Sequence, residues 1–234
     1  RISILIIFAI LMANCQSKPS SDQLKNVGNA KSALKDYKSA IEDYDAAIDL
    51  NPNDPRLFNN RGAAELELKN FTKAIQDFTQ SIELDPENPK TFSNRGLALA
   101  SIGNLKAALE DYSKALELSP KDAKIYYSRG SIYIDLKDYS KAILDFNEAI
   151  KLNDGDASYY SSRGLAKAQS KNFTEAIIDF TRAIELKPEF GLAYTNRGLS
   201  KMMSGDKSGG CEDLKKAVSL GSTSANKVLM EQCK

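Results

Sequence analysis

Aspartate and arginine recur at fixed positions along this chain, and their types and spacing could support acid–base or anion-binding chemistry. The aspartates are Asp43, Asp77, Asp111, Asp145, Asp179 and Asp213. The arginines are Arg61, Arg95, Arg129, Arg163 and Arg197. A catalytic site is built once, whereas both sets return every 34 residues. We therefore interpret them as ion pairs between neighbouring helices that hold helix orientation.

The composition argues against most other kinds of chemistry. The chain has no histidine, so the commonest general base and metal ligand is missing. Asp154 and Asp156 supply too few oxygen ligands for calcium, and we interpret them as part of a plain turn. The 32 basic residues barely exceed the 31 acidic ones, which gives no electrostatic basis for binding nucleic acid. We expect no cofactor, no metal and no enzymatic activity.

The segments that carry these residues repeat with the same period. A glycine directly follows each of the five arginines. These glycines are Gly62, Gly96, Gly130, Gly164 and Gly198. Self-similarity at this period is typical of stacked helical units, so the sequence predicts an array that lacks a single globular core.

Helix boundaries are marked by the same period. Prolines follow the second helix of a unit at Pro52, Pro86, Pro120 and Pro188. Side chains that can cap the next helix follow at Asp54, Asn88, Asp122 and Asp156. Between them, apolar residues recur at helical spacing, as in Ala40, Ile41, Tyr44, Ala47 and Ile48. The predicted units are 21–54, 55–88, 89–122, 123–156, 157–190 and 191–224, followed by a capping helix at 225–234.

The glycine column, the alanine columns, the aromatic residue four positions after the first alanine and the closing proline resemble the tetratricopeptide repeat. The resemblance covers residues 21 to about 224. It implies an all-α fold, a right-handed superhelical α-solenoid of six helix hairpins plus a C-terminal capping helix. The first helices would line a concave face that holds a peptide or a partner protein. Repeats of this kind have no chemistry of their own.

The resemblance also indicates which columns line the groove, and those that vary between units are the better candidates for binding. The candidate residues are Lys25, Asn29, Asn60, Lys90, Asn94, Leu97, Tyr127, Ile134, Leu165, Leu199 and Met202. The early ones are polar or basic and suit a chain terminus or an acidic segment. The later ones are apolar and suit apolar side chains.

Four of the polar candidates match a more specific site. Lys25, Asn29, Asn60 and Lys90 fall at the spacing of the two-carboxylate clamp found in chaperone-binding members of the family. Asn94 stands where those members carry arginine, so the strongest bidentate donor is absent. A carboxylate clamp and a generic solvated groove are therefore both open.

The first fifteen residues differ from the rest of the chain. An apolar run from Ile2 to Met12 is too short to span a bilayer and resembles a secretory signal. Cys15 follows it, and the arrangement resembles a bacterial lipoprotein signal, with residues 1–14 as a truncated signal peptide and 15–20 as a lipidated tether. Asn14 departs from the small residue usual before the lipidated cysteine. The alternative is an ordinary secretory peptide with an incidental cysteine.

Two further cysteines lie near the C-terminus. Cys211 and Cys233 would face each other across an antiparallel hairpin that turns near Gly221. A disulfide between them suits an exported protein, whereas a catalytic thiol would need a neighbouring base. We expect the pair to be bonded.

Together these features predict a non-catalytic scaffold in the bacterial cell envelope. It would be an exported lipoprotein, held by its lipid anchor at the outer membrane or the periplasmic side, and would bind a peptide or partner protein in its groove. Two alternatives remain open. One is an accessory subunit that organises a cell-wall or glycan-processing enzyme, and the other is a structural member of an outer-membrane assembly complex.

Overall fold

The computed structural model describes residues Lys18–Cys233, and every regular element within them is an α-helix. The all-α class predicted from the sequence is confirmed. The predicted signal segment and Cys15 lie outside the described residues. Among the helices of Lys18–Cys233, none is both long enough and apolar enough to cross a membrane.

The chain divides after Ile102 into two compact units, which we call the N-terminal and C-terminal units. The helices of the N-terminal unit are α1 (Ser21–Ala33), α2 (Tyr37–Leu50), α3 (Pro55–Glu67), α4 (Phe71–Leu84) and α5 (Pro89–Ser101). Each helix packs against the next, and α3 also contacts α1 and α5. The first helices of successive repeats therefore form one continuous face in this unit. Tyr44 and Phe78 fill its core between small residues such as Ala64 and Ala98.

The C-terminal unit is built in the same way. Its helices are α6 (Leu105–Leu118), α7 (Ala123–Asp135), α8 (Tyr139–Leu152), α9 (Ala157–Gln169), α10 (Phe173–Leu186), α11 (Gly191–Met203), α12 (Lys207–Ser219) and α13 (Thr223–Gln232). Neighbours in sequence pack together, and α9 also contacts α7 and α11. Phe146 is fully buried against Ala142 and Ala166.

The helices begin where the sequence places capping side chains. Ser20 and Gln23 form a capping box at the start of α1, each side chain bonding to the backbone of the other. The side chains of Asp54, Asn88, Asp122 and Asp156 accept from the backbone of the following helix. The turn inside each repeat has its own recurrent conformation, with a residue at positive φ. These residues are Lys35, Lys69, Gly103, Lys137, Lys171 and Gly205.

The recurrent glycine lets the two helices of a repeat approach closely. A methyl group added at Gly130 would lie 2.8 Å from the ring of Phe146. Gly62 and Gly164 stand in the same way against Phe78 and Phe180. A side chain at these positions would force the helices apart, which explains why the glycine recurs with the aromatic residue.

The last helix covers the end of the C-terminal unit. Ser222 caps α13, whose Ala225 is buried together with Leu214 and Ala217 of α12. The sulfur atoms of Cys211 and Cys233 are bonded, with Cα atoms 5.7 Å apart. The bond joins α12 to the C-terminal end of α13, while the turn before α13 connects its N-terminal end to α12. The capping helix is therefore linked to α12 at both ends.

Candidate functional site

The charged columns form one repeated arrangement, which we call a rung: an arginine, the aspartate sixteen residues later, and their contacts. In the sixth repeat Arg197 donates from Nε and Nη2 to the two carboxylate oxygens of Asp213, at 2.8 and 2.7 Å. Bidentate pairs also join Arg61 to Asp77, Arg129 to Asp145 and Arg163 to Asp179. These pairs link the two helices of one repeat, in agreement with the sequence interpretation.

The arginine of a rung also reaches the preceding repeat. Nη1 of Arg197 donates to Thr181 on α10, and Nη1 of Arg129 donates to Ser113 on α6, at 3.1 and 3.2 Å. The guanidinium groups lie over the aromatic ring three residues earlier, as Arg197 does over Tyr194 at 5.4 Å. One arginine therefore holds three helices, which is a structural task and accounts for its recurrence. Hydrogen bonds to Asp145 raise the pKa of Arg129 above its usual range.

The first rung is built differently. Val27 occupies the arginine position, and Lys31 of α1 reaches Asp43 instead, with Nζ 2.7 Å from a carboxylate oxygen. The recurrent aspartate therefore still has a cationic neighbour, but the cation comes from a residue four positions later in the helix. This substitution follows from helical geometry, because residues four apart share a helix face.

The polar candidates of the N-terminal unit bond mainly to one another. Asn29 Oδ1 accepts from Tyr44 and from Asn60, at 2.8 and 2.9 Å. Asn59 continues the chain, since it donates to Asn60 and accepts from Asn94, at 3.3 and 3.1 Å. The result is a row of side-chain amides across α1, α3 and α5. Sequence reasoning named three of its members but missed the part played by Asn59.

The two basic candidates of this unit have different surroundings. The ammonium group of Lys25 pairs with Asp22, and its hydrogen bond lowers the pKa of that carboxyl group. The Lys25 side chain is only 11% exposed. Lys90 is exposed in the first turn of α5, as is Leu97 two turns later. The carboxylate clamp stays a prediction, with Lys25 already bonded to a carboxylate of its own chain.

The apolar candidates of the C-terminal unit divide into two groups. Tyr127 packs against the rings of Phe146 and Tyr159, with centroids 5.8 and 5.1 Å apart, and Ile134 joins the same cluster. Met202 packs near the cluster beneath α13. These three side chains therefore pack against the core.

Leu165 and Leu199 belong to the second group, because they line an open cavity of about 250 Å³. The cavity lies between α9, α10 and α11, and its wall includes Phe173, Asn196 and Met203. Met203 is 67% exposed. Sequence reasoning missed these last three residues. The position of Met203 is occupied by Gln169 and Asp135 in the two preceding repeats. This variation between repeats is the feature of the sequence that could have indicated a binding residue.

The described residues Lys18–Cys233 hold no cluster of three or more acidic or cysteine side chains that could bind a metal ion. Asp154 and Asp156 belong to the turn before α9. There the backbone N–H of Gly155 donates to Asn153, and Asp156 caps the helix. Both observations agree with a turn formed for local reasons.

Several solved structures are similar to this chain. YrrB, a TPR protein described as having an unusual peptide-binding site, is 20% identical, with a TM-score of 0.69 over 80% of this chain and 97% of its own. A tetratricopeptide repeat protein from Parabacteroides merdae is also 20% identical, with a TM-score of 0.69 over 92% and 99% of the two chains. MamA is 27% identical, with a TM-score of 0.65 over 70% and 96%. No curated protein sequence matches the chain.

Family models identify the repeats directly. Models described as TPR repeat and tetratricopeptide repeat match residues 28–68, 55–88, 98–136, 123–156 and 157–190. The matched segments contain the glycine and aromatic columns whose packing is seen in both units. The fold supports interaction with other proteins, and repeats of this family generally serve as scaffolds without catalysis. The chain belongs to the tetratricopeptide repeat family.

Proposed function

We propose that this protein is a scaffold that binds a peptide segment of a partner protein on the first-helix face of its C-terminal unit. The observation that carries the proposal is the cavity beside Leu165 and Leu199. Its volume of about 250 Å³ is below the range of pockets that hold whole small-molecule ligands, and suits a single apolar side chain. Asn196 at its wall offers an amide that can bond to a peptide backbone.

The amide row of the N-terminal unit supports binding of an extended segment by that unit too. Each amide nitrogen in the row has two hydrogens, and the contacts described use one of them on Asn60 and Asn94, which are partly exposed. The remaining donors suit peptide carbonyl groups, and no charged ligand is needed. We therefore propose that a generic polar track, rather than a carboxylate clamp, operates here.

Selection of peptides from a random library on the purified protein tests the binding proposal. The selected peptides should lose about tenfold in affinity for a Met203→Ser variant, because one apolar contact is removed. Met230→Ser is the matched control, since Met230 lies on α13 outside the cavity and is 63% exposed, close to the 67% of Met203. Equal affinity for both variants and the wild type would contradict the proposed site.

The same peptides separate the polar track from the clamp. Each is compared with a free and an amidated C-terminus. A polar track predicts affinities that agree within about twofold, whereas a clamp predicts a loss of about tenfold or more on amidation. A large loss would show that the protein recognises a terminal carboxylate, as the clamp requires.

We further propose that the protein is exported and anchored at the bacterial envelope by lipid on Cys15. Support comes from the apolar run before Cys15 and from the Cys211–Cys233 bond, which suits an oxidising compartment. Fractionation of cells that express the natural gene should place the protein with membranes, and Cys15→Ser should release it. A Cys15→Ser variant that stays in the membrane fraction would contradict lipid anchoring.

A further inference from the structure

The second helices of the C-terminal unit expose a surface that the peptide-binding face does not use. Leu144 on α8 and Ile178 on α10 are 64% and 56% exposed, and occupy the same position in successive repeats. The other second helices of this unit carry Glu110 and Glu212 there. Exposed apolar side chains at equivalent positions of two neighbouring repeats indicate a contact surface.

A stripe of charge continues from each apolar residue along its helix. Glu148 and Lys151 follow Leu144 by four and seven residues, and Arg182 and Glu185 follow Ile178 at the same spacing. Helical geometry places each set on one face. Lys151 pairs with Glu148 at 3.2 Å, and Arg182 pairs with Glu185 at 2.9 Å. The order of charges is acid then base on α8, and base then acid on α10.

This reversal makes the surface complementary to itself. Both α8 and α10 pack against α9 and, as the second helices of successive repeats, run in the same direction. Consider two copies that meet through this surface and are related by a two-fold axis. If the axis runs parallel to α8 and α10, midway between them, then α8 of one copy lies on α10 of the other. Leu144 then meets Ile178, Glu148 meets Arg182, and Lys151 meets Glu185, twice over. Every facing pair is apolar with apolar or acid with base.

The surface also contains a recess for the protruding leucine. A cavity of about 470 Å³ lies between α9 and α10 beside Ile178, and its wall includes Tyr160 and Ile177. Arg182 lies over the Tyr160 ring at 6.0 Å and forms part of the rim. Under the two-fold arrangement, Leu144 of the second copy approaches this recess. Apolar side chains entering pockets at the centre of a contact contribute most of its affinity.

The charges on this surface indicate whether it binds a membrane, an unrelated protein or a second copy of the chain. The four charged residues sum to zero, so the surface has no attraction for an anionic membrane. Their alternating order would match an unrelated protein only if that protein carried the same alternation, whereas a second copy carries it necessarily. We propose that the protein forms a homodimer through the outer surfaces of α8 and α10. The inference concerns a different surface from the peptide-binding cavity and does not depend on it.

Sedimentation velocity of the purified protein over a concentration series, without reductant, tests the proposal. The wild type should dimerise in about the micromolar range, as expected for a small contact. Leu144→Ser should weaken the dimer by about tenfold or more, since it removes both apolar contacts across the axis. Lys114→Glu on α6 is the matched control at the helix position of Glu148 and Arg182, and should leave the dimer unchanged.

Charge reversal gives the sharper result. Glu148→Arg and Arg182→Glu should each weaken the dimer by about tenfold, because each places like charges across the axis. The double variant should recover to within about threefold of the wild type, because both facing pairs are again opposite. A wild type that stays monomeric up to about 100 µM, an unaffected Leu144→Ser dimer, or a double variant that does not recover would each overturn the proposal. A monomeric wild type would leave the surface to a different protein partner.

Discussion

The rungs of the second and sixth repeats share one geometry but have opposite electrostatic surroundings. In the second repeat, Arg61 bonds to Asp77 in its own repeat and to Asp45 in the preceding one, and Glu65 stands four residues after the arginine. In the sixth repeat the corresponding residues are Thr181, which Arg197 contacts, and Lys201, which pairs with Asp213 at 2.9 Å. In the first case two further carboxylates act on Asp77, and in the second a further cation acts on Asp213.

The difference appears in the ionisation of the two aspartates. Burial raises the pKa of Asp77 above its ordinary 3.8, Arg61 offsets this only in part, and the charges of Glu65 and Asp45 add to the rise. Burial also acts on Asp213, but hydrogen bonds from Arg197 and Lys201 outweigh it and lower its pKa. Equivalent residues in equivalent helices thus acquire opposite shifts. The rung geometry is repeated, whereas the charges at two neighbouring positions set the pKa of the aspartate in each rung.

Removing the arginine should produce the largest effect and the clearest contrast. Arg61→Met leaves Asp77 and Glu65 buried with only Lys73 nearby, and should cost about 3–5 kcal/mol of local stability. Arg197→Met leaves Asp213 paired with Lys201, and should cost about 1–2 kcal/mol. Arg129→Met should fall between them, because Tyr133 stands at the fourth position.

Hydrogen exchange of the helices in the altered repeat measures these effects better than a single melting temperature, since repeat arrays do not always unfold in one step. Both arginines lie over an aromatic ring, and both substitutions remove that contact. Its contribution therefore cancels when the two variants are compared. Equal losses for Arg61→Met and Arg197→Met would show that the neighbouring charges do not matter.

Converting the sixth rung toward the second should be the next largest effect. Lys201→Glu removes a cation from Asp213 and adds a buried carboxylate, which should cost about 1–2 kcal/mol at neutral pH and raise the pKa of Asp213. In the wild type the lowered pKa makes Asp213 stabilising above about pH 4, and this contribution is lost as the pH falls through its folded pKa. The variant should therefore approach the wild type in stability under acid conditions. Denaturation with urea at pH 7 and at about pH 3 checks the trend, and a cost independent of pH would argue against it.

The opposite change in the second rung should stabilise the protein. Glu65→Gln removes a charge that repels Asp77, yet keeps an oxygen that can accept from Asn70. We expect a gain of about 0.5–1 kcal/mol at pH 7. Because the folded pKa of Asp77 is raised, its contribution is fully present below about pH 4 and is lost as the pH rises through the folded value. The gain from Glu65→Gln should therefore shrink on acidification, and a gain that grows instead would contradict this assignment.

An equally small effect is expected in the turns of the same two repeats. Lys69 has a positive φ of 62° in the second repeat, where the sixth repeat has Gly205. Lys69→Gly should stabilise the protein by about 0.5–1 kcal/mol, because glycine adopts this conformation without strain. Gly205→Lys should destabilise it by a similar amount. Thermal unfolding of the pair measures both changes, and shifts of the same sign would rule out backbone strain as the cause.

Much of the architecture could be predicted from the sequence alone, because the information is local and repeated. A capping residue such as Asp122 or Asp156 acts on the backbone of the next few residues, so its position marks a helix start without knowledge of the fold. The pairing of Arg163 with Asp179 was likewise predictable in kind. Residues that recur together in every unit solve a packing problem common to all units.

The candidate binding sites depend on differences between repeats, and the sequence predicts the surroundings of such variable residues less well. Tyr127 and Leu165 both stand in variable groove columns, yet Tyr127 packs into an aromatic cluster whereas Leu165 faces an open cavity. Nothing in either residue type distinguishes the two outcomes, since each depends on which side chains of adjoining helices fill the space. The sequence did not predict that Phe173 and Met203 line this cavity, for the same reason.

The sequence by itself determined the helices, their order and the contacts that recur with the period, because each follows from residues close together or repeated at a constant spacing. Only the tertiary structure decided the surroundings of individual side chains. The pKa of Asp77 depends on Asp45 and Glu65, which come from two other helices, and the amide row requires Asn59 of α3 to reach Asn94 of α5. Burial and charge act through space, and the distances through space are set by how the helices pack.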